Sequence, residues 1–107
     1  MCGFSGFTKV NSFLDPKKII KSMSDKISHR GPDNEGFWED DNVILAHNRL
    51  SIQDLSSNGN QPFISKNKNL IIVFNGEIYN HIYLRNKFLK NFNFKSTSDT
   101  ETLIELV

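Results

Sequence analysis

Leu70 to Phe74 is an uninterrupted apolar run, LIIVF, that passes directly into Asn75-Gly76-Glu77. Five apolar residues in a row, three of them β-branched, read as a strand covered on both faces rather than one. Such a strand demands packing on either side of it. In a chain of 107 residues that demand falls on one small domain, which at this size buries roughly two-thirds of the surface its unfolded chain exposes.

The remaining segments supply candidate layers. Residues 2–9 (CGFSGFTK) read as a short strand with Phe4 and Phe7 as its bulky members. Asp15-Pro16 is an N-cap acid followed by proline at the first helical position, and Ile19, Ile20, Met23 and Ile27 recur at helical spacing to about residue 28. His29 to Gly36 is rich in turn formers and is expected to be an ordered loop. Phe37-Trp38 and Val43 to Ala46 bracket Glu39 to Asn42 as a hairpin, and residues 53–62 form a polar loop. A second hairpin turns over Lys66 to Asn69. From Ile78 to about Lys90, Tyr79, Ile82, Tyr83, Leu84 and Phe88 support a second helix, and Phe92 to Phe94 a brief strand. Ser98 and Glu101 match a capping box that opens a third helix with Leu103, Ile104, Leu106 and Val107. That helix ends on apolar residues, with neither a C-cap glycine nor a basic last turn, and is read as cut rather than finished.

Thirteen basic and twelve acidic residues, interspersed, give a formal net charge of +1. No electrostatic footprint for nucleic acid or an anionic membrane is present. The first ten residues lack the basic and apolar regions of a signal peptide, and no stretch approaches the length of a membrane span. The single cysteine excludes an internal disulfide and points to a reducing compartment. A soluble, cytoplasmic protein is expected.

That cysteine, Cys2, follows Met1 directly. Initiator methionine is generally clipped when the next side chain is small, and cysteine is small. Removal would leave one residue carrying both a nucleophilic sulfur and a free α-amine, the N-terminal-amine form of an activated nucleophile. A lone cysteine can equally be an ordinary small hydrophobe. Three further segments carry polar residues where a rigid scaffold can aim them: His47-Asn48-Arg49-Leu50-Ser51, Asn75-Gly76-Glu77 and Ser98-Asp99. Each has a plain alternative. Asn-Gly after a strand can be a turn, Arg49 a surface cation and Asp99 a helix cap.

Together, CGFSG at 2–6, HRGPDNEG at 29–36, AHNRLSIQDL at 46–55, FNGEIYNH at 74–81 and SDTE at 98–101 closely resemble the glutaminase domain of glutamine-hydrolysing asparagine synthetases. The resemblance covers essentially residues 2–107. It implies an α+β, N-terminal-nucleophile hydrolase fold, with two stacked antiparallel sheets flanked by helices, here as the N-terminal part of that domain. It also implies hydrolysis of L-glutamine to glutamate and ammonia through a Cys2 thioester. Matching positions give Asn75 and Gly76 as oxyanion donors, Arg49 as the partner of the substrate α-carboxylate, and Asp99 with Glu77 as partners of its α-ammonium. The backbone of Leu50, Ser51, Ile52 and Gln53 and the Ser51 side chain would line the same pocket. Arg30 is read as structural, forming a salt bridge that shapes the pocket.

For this domain the resemblance implies no cofactor. ATP, Mg²⁺ and aspartate would belong to a C-terminal synthetase domain outside these residues, and no Gly-rich phosphate loop occurs in this sequence. His29, His47 and His81 with Cys2 fit no tight metal-ligand spacing, so no metal site is expected. A homodimer of the full-length protein is left open. Two other readings stand beside this one: an amidotransferase of the same branch with another acceptor, such as a sugar acid or peptide, and a non-catalytic fragment.

Overall fold

The computed structural model describes residues 1–10 and 15–107. Three antiparallel strands, β1 (Gly3–Thr8), β2 (Asn34–Glu39) and β3 (Val43–Arg49), form a sheet in the order β1-β3-β2. With β3 in the middle, its register places Gly3 opposite Asn48 on one side and Asn34 opposite Arg49 on the other. The N-terminus is thereby laid alongside the end of β3. The β2–β3 turn is held by the Asp40 carboxylate, whose Oδ1 accepts from the backbone N–H of Asn42 and of Val43, each at 2.7 Å. Only part of the expected loop at 29–36 is a loop. A 3₁₀ turn covers Ser28–Arg30, and β2 begins at Asn34, because the backbone of His47 to Arg49 finds its partners in these polar residues.

Helix α1 (Pro16–Lys26) starts as the sequence predicts, with the Asp15 side chain accepting from Lys17 N–H at 3.1 Å. Its Ile20 meets Ile44 and Ala46 of β3 in the buried core, and Phe7 and Met23 pack against them. Removing a side chain such as Ile20 or Ile44 from water contributes about 2 kcal/mol. One turn on, buried Ser24 lies 2.7 Å from Glu35 Oε1 and 3.0 Å from Asn48 Oδ1, a polar tie between helix and sheet.

A second antiparallel sheet has two short strands, β4 (Phe63–Ile64) and β5 (Ile71–Ile72). The long strand expected over Leu70 to Phe74 thus contracts to two residues, with Leu70 exposed and the other four intermediate rather than buried. A strand apolar on both faces needs a packed layer over each, and that cover is incomplete here; along its edges β5 pairs with β4 alone. The turn over Lys66 to Asn69 forms as expected, closed by Ser65 N–H donating to Leu70 O at 2.9 Å.

Helices α2 (His81–Phe88) and α3 (Asp99–Leu106) pack on each other. On α2 the expectation inverts, since Tyr79, just before the helix, and Ile82, Tyr83 and Phe88 face outward while His81 is buried. The inner face is polar. Arg85 donates to Thr102 Oγ1 at 2.7 Å, Ser96 O at 2.9 Å and Ser98 O at 2.7 Å, and lies over the Phe94 ring. Phe92 to Phe94 is irregular rather than a strand, its two rings 4.7 Å apart. At the start of α3, Ser98 caps the helix by accepting from Thr100 N–H rather than from Glu101 N–H, and Glu101 reaches further back, to Lys95 N–H and Ser96 N–H, so the expected capping box is replaced by a plain N-cap. Two antiparallel sheets with helices make an α+β chain, as expected.

Candidate active site

Because β1 pairs with β3, Cys2 comes to rest beside Leu50. Its sulfur accepts from Leu50 N–H at 3.3 Å and lies 3.6 Å from Leu50 O. Arg30 Nε donates to the Cys2 carbonyl at 3.2 Å. Arg30 therefore shapes this corner through a backbone oxygen; the salt bridge expected of it is replaced by that bond, and no acid pairs with it among the described residues. The nitrogen of Cys2 is joined to Met1, which also lines the space in front of the sulfur.

That space is a cavity of about 240 Å³. Cys2, Arg49, Leu50, Ile52, Gln53, Asn75, Gly76, Glu77 and Asp99 all stand in its wall. Of the residues the sequence nominates, Ser51 is not in the wall; its N–H donates to Asp33 Oδ2 at 2.8 Å. The wall also holds Gly59, Gln61, Phe74, Ser98 and Thr100, of which the sequence had flagged Ser98 as a cap. Gln61 in particular carried no signal, being one more polar residue in a polar loop.

Arg49 ends β3 and is 5% exposed. Nη1 donates to Ser56 O at 2.7 Å and Asn60 Oδ1 at 2.9 Å, and Nη2 donates to Gln53 O at 2.8 Å and to Asp54 O. The guanidinium thus folds the loop 53–60 around itself, and a carboxylate in the cavity would share or displace these acceptors. Asp54 fastens the same loop to the approach of α3, accepting from Thr97 N–H at 2.7 Å and from both Ser56 groups. The Ser56 hydroxyl and the Thr97 N–H hold its carboxyl down at about 2.

Asn75 and Gly76 follow β5 and are exposed to the cavity. A side chain at position 76 would collide with the Phe74 ring at 2.7 Å, so glycine is what lets this backbone double back past the ring. Asp99, 6% exposed at the start of α3, accepts from Ile78 N–H through Oδ2 at 2.8 Å, which leaves Oδ1 for a cation in the cavity. Glu77 accepts from Gln53 Nε2 at 3.2 Å, while the buried Gln53 Oε1 has no partner among the described residues. The cavity wall thus carries the carboxylates of Asp99 and Glu77 together with the Arg49 guanidinium.

The histidines do not converge. His29 is exposed, His47 is fully buried on β3, and His81 lies under α3. Burial lowers the pKa of His47 and of His81, favouring their neutral forms. Among the described residues no three metal-ligating side chains come together, and no helix is long and apolar enough to cross a membrane.

A glutamine amidotransferase domain family matches residues 1–107. The chain belongs to that family, whose partial N-terminal-nucleophile architecture is compatible with the sheets and helices described. It is 44% identical over 108 residues to asparagine synthetase [glutamine-hydrolyzing] 1 of Bacillus subtilis, covering 97% of this chain and 17% of that protein. Asparagine synthetase B of Escherichia coli is 37% identical over 107 residues, covering 99% of this chain and 19% of that protein. Amidase chyE of Penicillium rubens is 45% identical over 117 residues, covering 99% of this chain and 17% of that protein. The chain thus spans less than a fifth of the length of these relatives.

Proposed function

We propose that this chain is the glutaminase part of a glutamine-hydrolysing asparagine synthetase, releasing ammonia that a synthetase domain outside these residues uses, with ATP and Mg²⁺, to amidate aspartate. The observation that carries the reading is the convergence of Cys2, Arg49, Asn75, Gly76 and Asp99 on one cavity. A nucleophile, an oxyanion donor pair, a cation and an anion are what hydrolysis of a free zwitterionic amide needs. No phosphate-binding loop occurs in this sequence, so no ATP step is assigned to it. A cytoplasmic location accords with the lone free cysteine.

The reaction proceeds in two halves. With Met1 removed, the Cys2 α-amine takes the thiol proton as Sγ attacks the side-chain carbonyl carbon of glutamine. The oxyanion so formed is met by the Asn75 side-chain amide and the Gly76 N–H; one such donor typically supplies about 3 kcal/mol of transition-state stabilisation. The α-ammonium of Cys2 then returns the proton to the departing nitrogen, the C–N bond breaks, and ammonia leaves a γ-glutamyl thioester. Water adds to the thioester, giving up its proton to the same amine, and the C–S bond breaks to free glutamate and the thiol. Through both halves Arg49 holds the substrate α-carboxylate, exchanging loop acceptors for it, since a planar guanidinium offers a carboxylate two parallel bonds. Asp99 and Glu77 hold the α-ammonium.

The relative named as an amidase favours a second reading, in which the same glutaminase feeds a different acceptor. Both readings share the test at Cys2. In the protein joined to its synthetase domain, Cys2→Ala is expected to abolish ammonia release from glutamine while amidation with added ammonia continues. Glutamine turnover by that variant would overturn the mechanism, and the acceptor amidated with added ammonia separates aspartate from any other.

A further inference from the structure

The β4–β5 register sets Phe63 opposite Ile72 and Ile64 opposite Ile71. Continued by two residues, it sets Gln61 opposite Phe74, immediately before Asn75 and Gly76. The backbone ladder ends at Phe63 and Ile72. The Gln61 side chain takes its place. Its Oε1 accepts from Phe74 N–H at 2.6 Å and its Nε2 donates to Phe74 O at 3.3 Å, so one side-chain amide grips both polar groups of that residue. Nε2 also donates to Thr100 Oγ1 at 3.2 Å, on the first turn of α3 beside Asp99.

The grip itself is buried and closely packed. Gln61 is 7% exposed, and its backbone carbonyl lies 2.0 Å from where a side chain on Gly36 of β2 would begin, so only glycine there admits it. His47 Nε2 lies 3.3 Å from the same Phe74 oxygen, from the central strand. Phe74 is thereby fixed from β3 and from the loop before β4, while Asn75 and Gly76 extend beyond it into the cavity.

We propose that Gln61 is a positioning residue for glutamine hydrolysis: it sets the oxyanion-binding segment 75–76 and keys it to the α3 turn that carries Asp99. This rests on the oxyanion role given above to Asn75 and Gly76. Gln61 acts through those groups and not on the substrate, so its loss misplaces donors without removing them. A displacement on the order of 1 Å at reacting groups costs about 100-fold in rate.

The test uses the protein joined to its synthetase domain, with ammonia-dependent amidation as the measure of intact folding. Gln61→Leu removes the whole grip. Gln61→Glu keeps the shape and the acceptor for Phe74 N–H but loses the donor to Phe74 O and Thr100; should Gln61→Leu prove insoluble, it decides alone. Expected are a fall in kcat for glutamine of about 100-fold, little change in KM, and unaltered ammonia-dependent amidation. Combined with Asn75→Ala, either variant is expected to lose less than the product of the two single losses, since one of the donors that Gln61 places is already gone while Gly76 N–H remains to be misplaced. Wild-type kcat in both variants, losses that multiply in the double variant, or ammonia-dependent amidation falling in parallel would each overturn the proposal. Asn75→Ala with full glutamine turnover would instead remove the oxyanion reading beneath it, whereas a crippled Asn75→Ala beside undisturbed Gln61 variants removes Gln61 alone.

Discussion

Arg49 does more in the fold than its place in the sequence conveys. Its place after a strand and its identity as one of three arginines in a lysine-rich chain single it out, and it does stand in the wall of the cavity. What the sequence does not convey is that its terminal nitrogens donate to four oxygens of the loop 53–60. In the proposed role, substrate binding is an exchange of acceptors, and the geometry of the fork matters twice, once for the loop and once for the carboxylate. Arg49→Lys, which keeps the charge but not the fork, is expected to raise KM for glutamine by more than tenfold, the equivalent of about 2 kcal/mol in charge-assisted bonds. Steady-state kinetics with glutamine checks this, and an unchanged KM would take Arg49 out of the carboxylate role.

At the scale of elements, what was legible followed one rule: segments whose neighbours lie nearby or whose caps are local read correctly. α1 has its Asp15 cap and its Ile20 stripe in sequence, and the β2–β3 hairpin has its Asp40 turn; both form. β5 and α2 depend on what covers them, and there periodicity misleads. The apolar run at 70–74 pairs over two residues because beyond Phe63 a side chain, that of Gln61, takes both polar groups of Phe74, and α2 turns His81 and Arg85 inward because Thr102 of α3 and the backbone of Ser96 and Ser98 before it offer partners. The loop 53–60 is the third such case, held from outside by Arg49 and tied by Asp54 to Thr97 as well as by its own Ser56-capped turn. Asp54 carries a pH signature. Its carboxyl is held at about 2 against an ordinary 3.8, so folding favours the ionised form; the contribution is complete above roughly pH 4 and fades as pH falls toward 2. Because the group is largely open to solvent, about 1 kcal/mol is expected. Denaturant midpoints of wild type and Asp54→Asn should differ by that amount at neutral pH and converge near pH 2; a gap that persists in acid would remove the carboxylate from the account.

For the molecule as a whole, the site is assembled from four separate stretches: the N-terminus, the end of β3 with its loop, the segment after β5, and the start of α3. The sequence displayed each as a motif, and family resemblance gave them one purpose. Their meeting point is decided by pairing: β1 against β3 brings Cys2 to Leu50, and the Gln61 amide brings Asn75 and Gly76 toward Asp99. One piece of the chemistry does not exist while the chain begins with Met1, namely the primary amine on the nucleophile itself. The most direct test is therefore an intact mass and N-terminal sequence of purified protein that hydrolyses glutamine, compared with a form engineered to retain the methionine. The account predicts that active material begins at Cys2 and that the retained form releases no ammonia; glutamine hydrolysis at the normal rate with Met1 still attached would contradict it.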